Sequence, residues 1–435
     1  MKRVRLGLRF ALVVLLLISL LAGCGGKEEP GSQPTGQPNE GQASGKPVKI
    51  TFWNTMRDYE AAVVQELINE FEKQNPDIDV EMVTVPFGEA QNKFKVAAQA
   101  GNAPDVLRAE VAWIAEFAAL GFLEPLDEKF TDQEDFLPSA LAYGKWNGKT
   151  YAVPQVTDAL ALLYNKKLLA QAGFHRAPET WDEFVQVAKK LTDPSKDQWG
   201  FYMRQSEAYF TLPFIWSFGG GLIDVETMKP LINTEGAIKG LEFVKKLRDE
   251  YKVFKDDRDF PNDYNTAMQY FKSGKAAMIL NGPWATADIL TGEAFKDNPD
   301  NLGIAPIPQG PEGHTGSPVG GHSYVIYSKS PHKEEAWKLV QFLSTKEAQA
   351  KLVLELGLLP TRKSVYEMPE VKANRIITDF KAVMENATPR PVFPQGGLIF
   401  AAMDQNFQAF YTGKKTAKEA VEAIVKEWEK LGVKP

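Results

Sequence analysis

Apolar positions in this chain follow two rhythms, and both start at residue 48. Val48, Ile50 and Phe52 occupy every second position, the spacing of a half-buried strand. In residues 59–74, Val63, Val64, Leu67, Ile68 and Phe71 fall on one helical face, Asp58 is placed to cap it, and Asn75-Pro76 stops it. Residues 80–85 alternate again. This pattern predicts a β-α-β unit with parallel strands and a right-handed crossover. Further helices are expected over 89–100, ended by Gly101-Asn102, and over 112–120, ended by Gly121, with a strand at 104–107 between them. Asn147-Gly148 marks a tight hairpin with a return strand at 151–154. Residues 158–164 form an apolar run that predicts one strand, opened by the carboxylate of Asp158.

The second half continues the alternation. Helices are predicted over 165–172 and 180–191, the latter with Thr180 and Glu183 as a capping box. A strand at 199–203 leads into a helix that ends at Gly219-Gly220-Gly221, and amphipathic helices cover 234–251 and 264–273. Strands at 302–308 and 323–327 are followed by helices at 334–343, 346–356, 375–386, 398–412 and 416–431. One stretch organises the rest. Ala277 to Leu280 is a short buried strand, Asn281-Gly282 breaks it, and Pro283 suits the first position of a helix. Trp284 is thereby delivered to the carboxyl end of a strand, where ligands bind in open α/β sheets. The alternative is a core tryptophan.

Alternating strands and helices imply α/β architecture. About 390 residues after residue 47 are long for one core and imply two. Breaks between strands near Thr157 and at 318–322, with a third crossing near 359–362, would join the two lobes. Residues 48–157 with 322–362 would form lobe I, and 158–321 with 363–435 lobe II. Several crossings make a hinge, with a cleft between the lobes.

The N-terminus changes the setting. Lys2, Arg3, Arg5 and Arg9 precede an apolar run from Phe10 to Leu21 that is too short to span a bilayer, the pattern of a secretory signal over residues 1–23. Leu21-Ala22-Gly23-Cys24 resembles a bacterial lipobox. That resemblance implies cleavage before Cys24, the only cysteine, and lipid on its sulfur. Several acyl chains would anchor the protein where one would not. Residues 24–47 are Gly, Ser, Gln, Pro, Asn, Glu and Lys almost throughout and read as a flexible tether. The expected location is the outer face of a bacterial cell membrane.

The chain has 50 basic and 56 acidic residues; without the four in the leader, the basic count falls to 46. This acidic balance argues against a nucleic-acid partner. Aromatic content is generous, at nine Trp, 13 Tyr and 26 Phe; many will be core, and an excess of Trp also suits stacking on flat apolar ligand faces. Catalytic and metal patterns are scarce. The four histidines, His175, His314, His322 and His332, lack metal-ligand spacing, and HExxH and GxSxG are absent. Residues 144–150 are one residue short of a P-loop and read better as the hairpin. Asp193, Ser195 and Asp197 begin like a calcium loop, but Arg204 stands where the closing glutamate belongs. Neither a metal nor a cofactor is expected.

What remains is a set of polar and aromatic residues at strand ends: Arg57, Asp58, Glu110, Asp158, Glu207, Tyr209 and Trp284. Any one could be a cap or a surface charge. Carboxylates accept hydrogen bonds from neighbouring hydroxyls, and rings cover the apolar face of a pyranose, so together they make a sugar site.

Four segments carry a family resemblance: Leu160-Ala161-Leu162-Leu163-Tyr164-Asn165-Lys166, Glu207-Ala208-Tyr209-Phe210-Thr211-Leu212-Pro213, Asn281-Gly282-Pro283-Trp284-Ala285 and Val392-Phe393-Pro394-Gln395. Over nearly all of residues 48–431 the chain resembles ABC-transporter solute-binding lipoproteins of the maltose/maltodextrin-binding type. The resemblance implies a two-lobed periplasmic-binding-protein-like fold, an oligosaccharide ligand, ABC permease subunits as partners, and a monomer. By position in these motifs, Asp158 corresponds to the carboxylate at the first crossing, Glu207 and Tyr209 to an acid and a stacking ring of the second lobe, and Trp284 to a stacking tryptophan. Arg57 and Asp58 lie near the charged pair of the first loop. Glu110 and Trp113 occupy the next sugar-contacting loop with different residue types. Phe400 stands where the family often has tryptophan, and Arg390 is a further contact. The leading expectation is capture of maltose or maltodextrin by cleft closure and delivery to a permease. Another oligosaccharide such as a cyclodextrin, a glycosidase using two of the same carboxylates, and a glycan-capturing adhesin are the alternatives.

Overall fold

The computed structural model describes residues 46–224, 226–255 and 263–434; the expected leader, Cys24 and nearly all of the tether lie outside them. Thirteen strands are described: β1 Val48–Asn54, β2 Ile78–Thr84, β3 Val106–Glu110, β4 Lys145–Trp146, β5 Lys149–Thr150, β6 Ala152–Ala159, β7 Ala161–Asn165, β8 Trp199–Tyr202, β9 Ala276–Asn281, β10 Leu302–Ala305, β11 Ser317–Ile326, β12 Leu359–Pro360 and β13 Ala387–Thr388. They build two main sheets. The first has the order β12-β6-β11-β3-β1-β2, with β13 paired to β11; the second has the order β10-β7-β9-β8.

The first β-α-β unit forms as its periodicity requires. β1 and β2 are parallel, and Val63, Val64, Leu67, Ile68 and Phe71 of helix Asp58–Gln74 are buried in one cluster with Ile50 and Phe52 of β1. The cap differs from expectation. Asp58 is the first helical residue, and Arg57 is the N-cap, its backbone N–H donating to Glu60 Oε2 at 3.0 Å. At the hairpin, Asn147 and Gly148 take φ of 49° and 79°, as a two-residue turn between twisted strands demands. Thr180 caps its helix through Glu183 N–H at 3.2 Å, but the box is incomplete. The Glu183 carboxylate is taken by both guanidinium nitrogens of Arg176, each at 2.8 Å.

Two corrections concern the passage between sheets. The run 158–164 is not one strand. β6 ends at Ala159 in the first sheet, where Asp158 pairs with Gly320; β7 starts at Ala161 in the second, where Leu162 pairs with Leu280. Leu160 between them is fully buried, so hydrophobicity runs on unbroken while the pairing partners change. Nor are there breaks near Thr157 and at 318–322. β6 and β11 stay paired through both positions, at Thr157↔Gly321, Asp158↔Gly320 and Ala159↔Val319, with a register shift between His322 and Ser323, and this ladder satisfies backbone groups that a break would strand in the interior.

Helix Lys346–Leu356 ties the halves together. Ala348, Leu352 and Leu356 belong to the cluster beneath the first sheet, and Ala350 and Val353 to one beneath the second. Trp284 packs partly buried against both.

Candidate ligand-binding cleft

The site grows from the point where β6 hands the chain over. Asp158 is buried one residue before the end of β6. Tyr209, in the 3-10 turn Ala208–Phe210 of the second half, shares its hydroxyl proton between Asp158 Oδ1 at 3.1 Å and the Pro318 carbonyl at 3.0 Å. Gly320, opposite Asp158, is needed for this contact. A Cβ there would lie 2.3 Å from Asp158 Oδ1 and 2.8 Å from Tyr209 Oη.

Glu110 is the last residue of β3. One carboxylate oxygen accepts the Ala112 N–H at 2.9 Å, capping the turn that follows; the other accepts a short hydrogen bond from Arg390 Nη2. Arg390 follows β13 and is fixed from three sides. Its Nε donates to the Val319 carbonyl at 2.8 Å, and its backbone N–H donates to Tyr143 Oη at 2.8 Å. Its guanidinium lies 5.6 Å from the Tyr209 ring and 5.5 Å from the Phe400 ring. Glu110 and Arg390 are only 9% and 7% exposed, so this is a buried ion pair. Burial works against charge on Arg390, but Glu110 and the two phenols hold it protonated. Burial, with Glu110 adding to it, pushes the Asp158 carboxyl up to about 6, against the opposing pull of Arg390, the Tyr209 hydroxyl and Arg108.

Trp284 sits where strand β9 gives way to the turn Pro283–Ala285 and helix Thr286–Leu290. Its carbonyl accepts Tyr59 Oη from the first half at 2.7 Å, and its Nε1 donates to Tyr264 Oη at 3.2 Å. Its ring centre is 6.4 Å from that of Tyr209. Gly282 makes room for the indole: a Cβ there would fall 2.0 Å from Trp284 Cζ3. Arg57 reaches from the first half to place its guanidinium 4.6 Å over the Tyr264 ring.

Asp158, Tyr209, Glu110, Arg390 and Phe400 thus form one cluster, and Trp284 connects it to Arg57 through Tyr264. Three expected residues stand differently. Asp58 is exposed in the first helical turn, with no side-chain contact in this cluster. Trp113 is 5% exposed, lying between buried Phe117 at 6.4 Å and the exposed Phe87 ring at 5.4 Å, with its Cδ1 edge beside Gly397. Glu207 pairs with Arg204 at 2.5 Å, and Arg204 lies over the Tyr264 ring, so Glu207 borders the cluster through that arginine.

Sequence reasoning missed Tyr264, whose ring carries Arg57 and, at 5.2 Å, Arg204. It also missed Arg108, buried on β3 with Nε donating to Gln155 Oε1 at 2.6 Å and Nη1 to Thr55 Oγ1 at 3.2 Å. A lone arginine inside the apolar run Val106-Leu107-Arg108-Ala109 was the available signal. Nothing local distinguished Tyr264 from other helix-start aromatics.

The arrangement offers fixed acceptors, fixed donors and ring faces drawn from both sheets. Among the described residues no group of three or more His, Cys, Asp and Glu is placed to hold a metal. No helix among them is long and apolar enough to cross a membrane.

Residues 56–350 match the bacterial extracellular solute-binding protein family. The chain belongs to that family. Among similar solute-binding proteins, a maltotriose-binding protein of Pyrococcus abyssi is 30% identical over 390 residues, which is 88% of this chain and 81% of that one. The GacH receptor of Streptomyces glaucescens, solved unliganded and with acarbose, superposes with a TM-score of 0.84 at 38% identity, covering 88% of this chain and 98% of that one. Maltose-bound MalE3 of T. maritima gives 0.81 at 32% identity, covering 88% and 100%. The two-sheet α/β architecture is therefore that of the two-lobed binding proteins, as expected from the sequence.

Proposed function

We propose that this solute-binding protein captures maltose and longer maltodextrins in the cleft between its two sheets and passes them, unaltered, to an ABC permease. One observation carries the reading: Asp158, near the end of a first-sheet strand, meets Tyr209 of the turn Ala208–Phe210 at 3.1 Å, beside the Trp284 indole. Beside this set Glu110 and Arg57 of the first half meet Arg390 and Tyr264 of the second, so a sugar that contacts both halves favours the closed state. The relatives that bind maltotriose, maltose and acarbose support α-glucan-like ligands. On this reading the lobes are residues 48–157 with 322–362 and 158–321 with 363–435, and the protein works as a monomer anchored through lipid on Cys24.

Titration calorimetry with maltotriose tests the reading. A micromolar dissociation constant corresponds to about −8 kcal/mol. Trp284→Ala is expected to weaken binding more than tenfold while the unfolding transition stays cooperative. Unchanged affinity in that variant, or turnover of maltotetraose, would count directly against it.

A further inference from the structure

At Trp284 the two halves bond to each other directly. Tyr59 stands in the first turn of helix Asp58–Gln74, and its ring packs partly buried against the first half's own cluster. Only its hydroxyl reaches across: Oη donates to the Trp284 carbonyl at 2.7 Å, over 225 positions of sequence. Burial pushes the hydroxyl's pKa further up, so it stays a donor. The turn that carries Trp284 has two unlike sides. On one, Ala285 and Ile289 pack with Ala350 and Val353 of helix Lys346–Leu356 in a single apolar cluster, and the fully buried Thr286 hydroxyl reaches the Leu356 carbonyl at 3.2 Å. Parting the halves there would expose apolar surface to water, so this side serves as the pivot. On the other side Tyr59 lines an open groove with Tyr264 and Asp288 of the second half. Water can take over both the hydroxyl and the carbonyl there, so separation costs only the net worth of one hydrogen bond.

We propose that Tyr59 is a closure latch, a positioning residue whose hydroxyl touches no sugar but stabilises the closed arrangement through the Trp284 carbonyl. Part of the affinity for every sugar is then supplied by a contact of the protein with itself. The proposal rests on the sugar-capture reading above and adds a device to it. Trp284 carries both ends of the coupling: its indole faces the Tyr209 ring at 6.4 Å, and its carbonyl holds the latch. Glu110, Asp158, Tyr209 and Arg390 are all buried once the halves have met, so a sugar must enter before they do. The latch therefore forms after binding and acts on escape.

Tyr59→Phe tests this, since it removes the hydroxyl and keeps the ring that packs in the first half. Calorimetry with maltose, maltotriose and maltotetraose should show all three dissociation constants raised by one common factor, about three- to tenfold, the worth of a single hydrogen bond. Stopped-flow tryptophan fluorescence should place that loss in the dissociation rate, with the association rate within about twofold of the wild type. By small-angle X-ray scattering, the variant without sugar should have a larger radius of gyration than the wild type without sugar, and the two should coincide at saturation. A factor that differs from one sugar to the next would make Tyr59 a sugar contact and overturn the latch. Unchanged affinities would overturn it too, as would equal radii without sugar, and each of these results leaves sugar capture standing. Absence of maltotriose binding by the wild-type protein would overturn both.

Discussion

The Glu110–Arg390 pair joins the end of β3 to the segment that leads into helix Leu398–Tyr411 of the second half, so its removal reports on how the halves are held. Consider Arg390→Met. The buried Glu110 carboxylate keeps its bond to Ala112 N–H but loses its counter-charge, and the Val319 carbonyl keeps only the long bond from the Tyr143 hydroxyl at 3.5 Å. Breaking one side of a buried pair costs about 3–5 kcal/mol. In a body of this size each kcal/mol moves the melting temperature by at most about 2 °C. A drop of roughly 4–6 °C is therefore expected by calorimetry. Glu110→Gln alone should cost a similar amount, because it strands the guanidinium. The double variant leaves no unpaired charge, so it should be more stable than the summed singles by 2 kcal/mol or more. Costs that add to within about 0.5 kcal/mol, the behaviour of independent sites, would refute the pairing argument.

Two further outcomes follow from the cleft geometry. Gly282→Ala places a methyl where the Trp284 indole now lies on a backbone that any residue can adopt, with φ −113°. Maltotriose affinity should fall at least fivefold with the tryptophan retained, and an unchanged dissociation constant would mean that the indole does not line the site. Asp158 is raised by burial to about 6 in the folded chain, from an ordinary value of 3.8. The folded state therefore keeps its proton where the unfolded chain has released it, so this contribution is full below about pH 4 and is lost as pH rises through about 6. Relative to Asp158→Asn, the wild-type protein should lose on the order of 2–3 kcal/mol of stability between pH 4 and 7. Denaturant titrations across that window check the sign, and a difference that stays constant refutes it.

Periodicity alone was enough for the elements with one apolar face and a distinct stop. Helix Asp58–Gln74 and helix Ala417–Glu429 appear where the 3.6-residue spacing places them, because burying that face is the main term in their stability. The strand-to-turn delivery of Trp284 was also local, since Asn281, Gly282 and Pro283 act on their own backbone. Sheet membership was not local. Nothing in 158–164 marks Leu160 as the point where pairing passes from β11 to β9, because a strand buried in either sheet has the same composition. The same limit applies to the site. Asp158, Tyr209 and Trp284 could be singled out by residue type and position, but their neighbours could not, such as Arg204 beside Glu207 and Phe117 beside Trp113. The Glu110–Arg390 pair spans 280 positions of sequence. Such a contact exists only after two sheets have been brought together by their cores, so the residue types at either end cannot announce it.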